Sequence, residues 1–227
     1  MRLLLFGCTG FVGSELVPRL LKADHQLTVV SRRIASGFET ERSEGRLVWL
    51  QLDPSNPTTW SDEALLDALA QADGVVNLAG EPIAEKRWTP AHQKELENSR
   101  LETTRLLVKA LADCSSAPGV LVNASAIGYY GTSLSTCFVE TSPAGKDFLA
   151  SLCQRWEDQA AAVPSSVRQV TLRIGIVLAA DGGALGQGRA LRSGQISAVQ
   201  ACAVALVARR GRRPRATSPA RSRRSRR

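Results

Sequence analysis

The sequence predicts an α/β domain built on a doubly wound parallel sheet with helices on both faces. Two features predict it. Short apolar, β-branched runs alternate with amphipathic segments of helix length over residues 1–186, the pattern that strand–helix–strand crossovers produce. The first run, Leu3–Phe6, breaks into a turn with glycines at 7, 10 and 13, and a helical stripe of Val12, Leu16, Val17, Leu20 and Leu21 follows at once. With 227 residues the chain can bury one sizeable core.

In the opening turn, Gly7-Cys8-Thr9-Gly10-Phe11-Val12-Gly13, glycine is the residue that permits positive φ or close approach of another group. The helix start beyond it offers backbone N–H groups and a positive dipole end. Gly7, Thr9, Gly10, Phe11, Val12 and Gly13 therefore form a candidate cradle for a dinucleotide pyrophosphate. Their G-x-x-G-x-x-G spacing departs from G-x-G-x-x-G, so an ordinary glycine-rich turn is the alternative.

Gln26–Ser31 is the second strand, and Ser31-Arg32-Arg33 ends it. An acidic residue about 20 positions past the glycines suits the ribose of NAD, whereas arginine suits the 2′-phosphate of NADP. Ser31 and Arg32 thus favour NADP over NAD, against the alternative of a solvated loop. Leu47–Leu52 is the third strand, stopped by Asp53-Pro54. Asp53 is a candidate for the adenine amino group or for capping the next loop. Ser61–Ala70 is helical, with Asp62 and Glu63 in its first turn.

Asp73–Gly80 reads as a buried strand and a small-residue loop at the carboxyl edge of the sheet, where ligands of such folds sit. Asn77, Ala79 and Gly80 are candidate cofactor-wall residues. The polar segment 81–90, with Lys86, Arg87 and Trp88, is a lid or a surface loop with a packed tryptophan. A long amphipathic helix spans Ala91–Ala112. A strand at Val120–Asn123 leads into Ala124–Gly131, a helix spans Gly145–Ala162, and Val167–Val177 is the last strand.

Charge divides the chain. The net charge is +8, yet residues 189–227 hold 12 arginines and no acid, leaving 17 basic against 21 acidic residues in 1–188. The body is mildly acidic, and the tail lacks aromatic residues to stack on bases, which argues against nucleic acid as partner. The five cysteines lie far apart with no C-x-x-C pair and neither histidine beside them, so no metal site is expected. This usage suits a reducing, cytoplasmic setting. The longest apolar stretch, Ile196–Ala208, is shorter than the roughly 20 residues that span a bilayer, so no membrane segment is expected. Residues 187–227, rich in Arg and Ala, are expected to be disordered beyond a weakly helical Ile196–Ala208.

Gly7–Gly13, Asn77-Leu78-Ala79-Gly80-Glu81-Pro82-Ile83, Arg87-Trp88-Thr89, Asn98-Ser99-Arg100, Ser125–Gly131, Asp147-Phe148-Leu149-Ala150 and Leu172–Leu178 follow one another in an order that resembles the epimerase family proteins of the extended short-chain dehydrogenase/reductase superfamily. Within it the chain is most similar to the cyanobacterial and plastid subgroup named SulA-like cell division inhibitor. The resemblance covers about Met1–Gly186. It implies a Rossmann-like NAD(P)-binding domain over 1–186 and a smaller substrate domain beyond it, which is largely missing here. The family's next segments do not follow Gly186, which suggests a truncated or frameshifted parent; sequencing the locus tests this.

The resemblance also implies a catalytic serine at Ser125. The Y-x-x-x-K pair expected at the next helix start is replaced by Phe148 and Leu152, leaving Tyr129 and Tyr130 as candidate phenols. Loss of a positioned proton-transfer group costs about 10²- to 10⁴-fold in rate. Two classes of function follow: an NADP(H)-dependent enzyme acting on an unknown small molecule, or a catalytically inactive nucleotide-binding regulator, in cell or plastid division.

Overall fold

Alternate residues of the first strand, β1 (Arg2–Phe6), divide the core in two. The computed structural model describes residues 1–83, 86–177 and 205–208. Leu4 and Phe6 face one cluster with Leu65, Leu69, Leu107 and Leu111, and Leu5 faces the other with Val17, Leu21, Val29 and Leu47. This near-continuous apolarity is what a strand covered on both faces requires. Each fully buried leucine contributes about 1.5–3 kcal/mol.

The strands are β1, β2 (Gln26–Ser31), β3 (Leu47–Gln51), β4 (Gly74–Asn77), β5 (Val120–Ala126), β6 (Arg168–Ile174) and β7 (Ala205–Ala208). They lie in the order β3-β2-β1-β4-β5-β6-β7, with β7 antiparallel to β6 and all other neighbours parallel. The helices are α1 (Phe11–Lys22), α2 (Glu39–Ser43), α3 (Glu63–Gln71), α4 (Pro90–Asp113) and α5 (Phe148–Ala161). Helix α1 covers the Leu5 face, α3 and α4 cover the Leu4 face, and α5 packs beside α4. The chain leaves β1 for β2 on one side and returns beyond β3 to β4 on the other, so the strand order reverses between β1 and β4. That reversal opens a crevice at their carboxyl ends.

The expected doubly wound sheet is therefore present, with local corrections at the helix starts. Asp62 is the N-cap of α3, its side chain accepting from the Leu65 N–H at 3.0 Å, and Ser61 belongs to the 3₁₀ turn Pro57–Ser61. Helix α5 begins at Phe148 rather than at 145, because the Gly145 N–H donates to Tyr129 O at 2.8 Å and Asp147 caps the Ala150 N–H at 2.9 Å. Strand β5 runs on to Ala126 by pairing along the full length of β6. Ala205–Ala208, expected to be weakly helical, is a strand on the edge of β6, where ladder bonds override helix propensity. The remainder of the Arg-rich tail lies outside the described residues.

Candidate functional site

Two of the three turn glycines are required by sterics. Gly7 has φ +73°, and a Cβ on it would lie 2.4 Å from Ala79 N in the loop after β4. A Cβ on Gly13 would lie 2.3 Å from Cys8 Cα, so this glycine brings α1 against the turn. Gly10 differs: a Cβ there would meet only Gly7 O, at 3.5 Å. Gly10 is the N-cap of α1, with no side chain capping the helix and no acid in its first turn, while Thr9, Gly10 and Phe11 are exposed. The space above this helix start is open and electropositive, which fits a phosphate group.

The loop after β4 forms the opposite wall. Phe6 and Asn77 are register partners, and the ladder continues from Leu78 N–H to Phe6 O at 2.9 Å. Asn77 was expected to face a ligand, but its side chain is 0 % exposed. Its Nδ2 donates to Asn123 Oδ1 at 2.7 Å and Thr104 Oγ1 at 3.1 Å, and its Oδ1 accepts from the Ala79 N–H at 3.1 Å. Asn77 therefore positions the wall from below, with Ala79 buried and Gly80 exposed above it. Thr104 Oγ1 also accepts from Trp156 Nε1 at 2.9 Å, which ties α5 to the same hub.

At the end of β2, Ser31 is likewise internal. It donates from Oγ to Arg33 O at 2.6 Å and accepts from Trp49 Nε1 at 2.6 Å, so it shapes the turn that presents Arg32 and leaves no free hydroxyl for a ligand. Arg32 is exposed and lies 3.9 Å from the Glu81 carboxylate. Asp53 Oδ1 accepts from both the N–H and the Oγ of Ser55, at 3.0 and 2.7 Å, which is the capping alternative.

Glu81 is held from behind by the Asn98–Arg100 segment of α4. Its N–H donates to Ser99 Oγ at 3.0 Å and its carbonyl accepts from Arg100 Nη2 at 2.9 Å. Gly80 leaves room for this contact, since a Cβ there would stand 3.0 Å from Arg100 Cζ. Burial holds the Arg100 guanidinium below its ordinary pKa, with Cys153 and Glu81 acting against it.

At the carboxyl ends of β5 and β6, Ser125 is 2 % exposed and donates to Glu157 Oε1 at 2.6 Å. Glu157 in turn accepts from Arg173 Nε and Nη2, both at 2.8 Å. Arg173 Nη1 donates to the Tyr130 hydroxyl oxygen at 2.8 Å and to Glu140 O at 2.9 Å, and the guanidinium stacks 3.5 Å above the Tyr129 ring. Burial lowers the Arg173 pKa, but the hydrogen bonds that it donates to Glu157 and Tyr130, with the charge of Glu157, outweigh this and hold the value above normal. Ser125, Tyr129 and Tyr130 thus meet around an internal ion pair that the sequence did not reveal, because Glu157 on α5 and Arg173 on β6 share no local pattern.

Phe148 occupies the first position of α5 and meets Trp88 edge-on at 5.8 Å, while Leu152 is buried. Neither can move a proton. Among the described residues no group of His, Cys, Asp and Glu could hold a metal ion, and no helix is long and apolar enough to cross a membrane.

Residues 3–153 match the NAD dependent epimerase/dehydratase family. The chain is 38 % identical over 181 residues to the chloroplastic epimerase family protein SDR39U1 homolog of Arabidopsis thaliana, covering 79 % of this chain and 50 % of the relative. It is 38 % identical over 189 residues to human epimerase family protein SDR39U1, covering 82 % of this chain and 58 % of that protein. A crystal structure of the human protein (isoform 2) with NADPH superposes at TM-score 0.65, with 35 % identity, over 83 % of this chain and 58 % of that one. A nucleoside-diphosphate sugar epimerase from Corynebacterium glutamicum gives TM-score 0.65 at 28 % identity, over 86 % of this chain and 38 % of that one. The chain thus spans about half the length of the curated relatives it matches.

Proposed function

The chain belongs to the NAD dependent epimerase/dehydratase family, within the extended short-chain dehydrogenase/reductase superfamily, and from that premise we propose that it binds NADP(H) in the crevice between β1 and β4. The observation that carries this is the open, uncapped and acid-free start of α1 above Gly10, with the exposed Arg32 at the end of the adjacent strand. In this reading the Gly7–Gly13 backbone holds the pyrophosphate and Arg32 takes the 2′-phosphate. Ala79 and Gly80 line the nicotinamide side, positioned by Asn77 and Arg100. Asp53 has one carboxylate oxygen left for the adenine amino group. NADPH bound to the human relative supports the choice of NADP over NAD.

NADP(H) supplies or accepts a hydride when bound. Proton transfer would have to come from Tyr129 or Tyr130, since Phe148 and Leu152 occupy the positions expected for the acid–base pair. Ser125 and Tyr130 would position substrate through their links to Glu157 and Arg173. A small molecule, with the sugar nucleotides of the family as first candidates, is the proposed substrate class.

A second reading, binding without turnover, is favoured by Phe148 and by the engagement of Ser125 and Tyr130 in the internal network. The division role attached to the SulA-like subgroup belongs to that reading and rests on the resemblance alone. A cytoplasmic site of action is proposed from cysteine usage; the Arabidopsis relative is by name chloroplastic.

Titration of the purified protein with NADPH and NADH, followed by fluorescence, tests the binding. Arg32→Glu should weaken NADPH at least about tenfold more than NADH, the worth of a charge-assisted phosphate contact. Equal losses would remove Arg32 from the site, and no binding of either nucleotide would remove both readings. A subsequent screen with carbonyl and sugar-nucleotide substrates separates them: turnover supports the enzyme, and binding without turnover supports the regulator.

A further inference from the structure

Arg32 follows β2 and Glu81 follows β4, on opposite sides of β1 in the sheet. Their 3.9 Å approach therefore passes over the carboxyl end of β1, above the glycine turn. The two partners are unequal. The Arg32 side chain is 66 % exposed and the Glu81 side chain 18 %. Glu81 is fixed through its backbone by Ser99 and Arg100, and its Oε1 also meets Lys86 Nζ at 3.0 Å. Lys86 is shared with Glu95, likewise at 3.0 Å. The hydrogen bonds that the Lys86 ammonium donates to Glu95 and Glu81 hold it above its ordinary pKa, so it remains a cation beside them.

We infer that Glu81 sets the preference of this chain between NADPH and NADH by competing with the 2′-phosphate for Arg32, and that Lys86 moderates the competition by neutralising Glu81. The inference rests on the reading of Arg32 given above. A phosphate monoester carries close to two negative charges at neutral pH, more than the single charge of a carboxylate. An ion pair at 3.9 Å whose arginine stands in solvent is worth no more than about 1 kcal/mol, so Arg32 can exchange Glu81 for phosphate at small cost. NADH carries no 2′-phosphate and leaves the pair as it is. The carboxylate, held through Oε1 by Lys86 on a backbone tied to Ser99 and Arg100, then remains near the incoming phosphate with Lys86 to offset it. Glu81 thus opposes NADPH and is nearly silent towards NADH.

Fluorescence titrations of the wild-type chain, Glu81→Gln, Lys86→Met and Arg32→Gln with NADPH and NADH at low ionic strength test this. Glu81→Gln should tighten NADPH by about three- to fivefold and change NADH by less than about twofold, as an interaction of at most about 1 kcal/mol implies. Lys86→Met should act oppositely, weakening NADPH selectively. A Kd ratio unchanged in Glu81→Gln, or both nucleotides shifting together, would overturn the inference. If that ratio stays fixed while Arg32→Gln abolishes the NADPH preference, Arg32 keeps its role and Glu81 loses its own. If Arg32→Gln also leaves the ratio unchanged, both fall.

Discussion

Gly7 and Ala79 touch through their backbones: a Cβ on Gly7 would stand 2.4 Å from Ala79 N, and Gly7 sits at φ +73°. The contact joins the turn after β1 to the loop after β4, the two walls of the crevice. Gly10, three residues on, has ordinary φ and ψ and an open Cβ position. The two glycines should therefore fail differently. Gly7→Ala should destabilise the fold by about 3 kcal/mol or more, from the left-handed backbone and the overlap together. Gly10→Ala should stay within about 1 kcal/mol of wild type in urea unfolding and should still lose NADPH affinity, because the methyl group enters the phosphate space.

The Ser125–Glu157–Arg173–Tyr130 network makes a separate prediction. Arg173→Met would leave the Glu157 carboxylate enclosed without a counter-charge and should cost about 3–5 kcal/mol. Pairing it with Glu157→Leu should recover much of that loss, since a buried ion pair adds little net stability over well-packed apolar groups. Ser125→Ala should cost about 1–2 kcal/mol, with NADPH affinity unchanged. Urea unfolding and nucleotide titration of the same preparations check each outcome.

Cys8 lies under the glycine turn, and burial raises its thiol pKa from 9.0 to about 12. The native thiol stays protonated where the unfolded one ionises, so its contribution to stability is complete below pH 9 and is lost as pH rises towards 12. Within that window each pH unit should remove about 1.4 kcal/mol. Cys8→Ser, which does not titrate there, should flatten this part of the profile. In the native protein iodoacetamide should label the exposed Cys137 ahead of the buried Cys8 and Cys153.

The sheet and its glycine turn were legible because their causes are local. A strand buried on both faces must be apolar throughout, and Gly7 and Gly13 stand where no other residue fits. The role of Asn77 was not legible: an asparagine ending a strand reads the same whether it faces a ligand or, as here, Asn123 and Thr104. Glu157 and Arg173 meet only because α5 returns against β6, and helical or strand periodicity carries no trace of that meeting. Helix α2 is five residues long, too short for periodicity to mark. Phe148 is the reverse case, since the family resemblance implies a tyrosine at this position and the structure adds that the ring packs against Trp88.

In the proposed function the start of α1 and Arg32 together hold NADP(H). An NMR titration of ¹⁵N-labelled protein with NADPH and then NADH tests it most directly. The backbone amides of Gly10–Gly13 should shift with both nucleotides, while the Arg32 side-chain Nε–H should shift with NADPH alone. Amides of the glycine turn that stay unmoved while NADPH binds, or an Arg32 signal that responds equally to NADH, would contradict it.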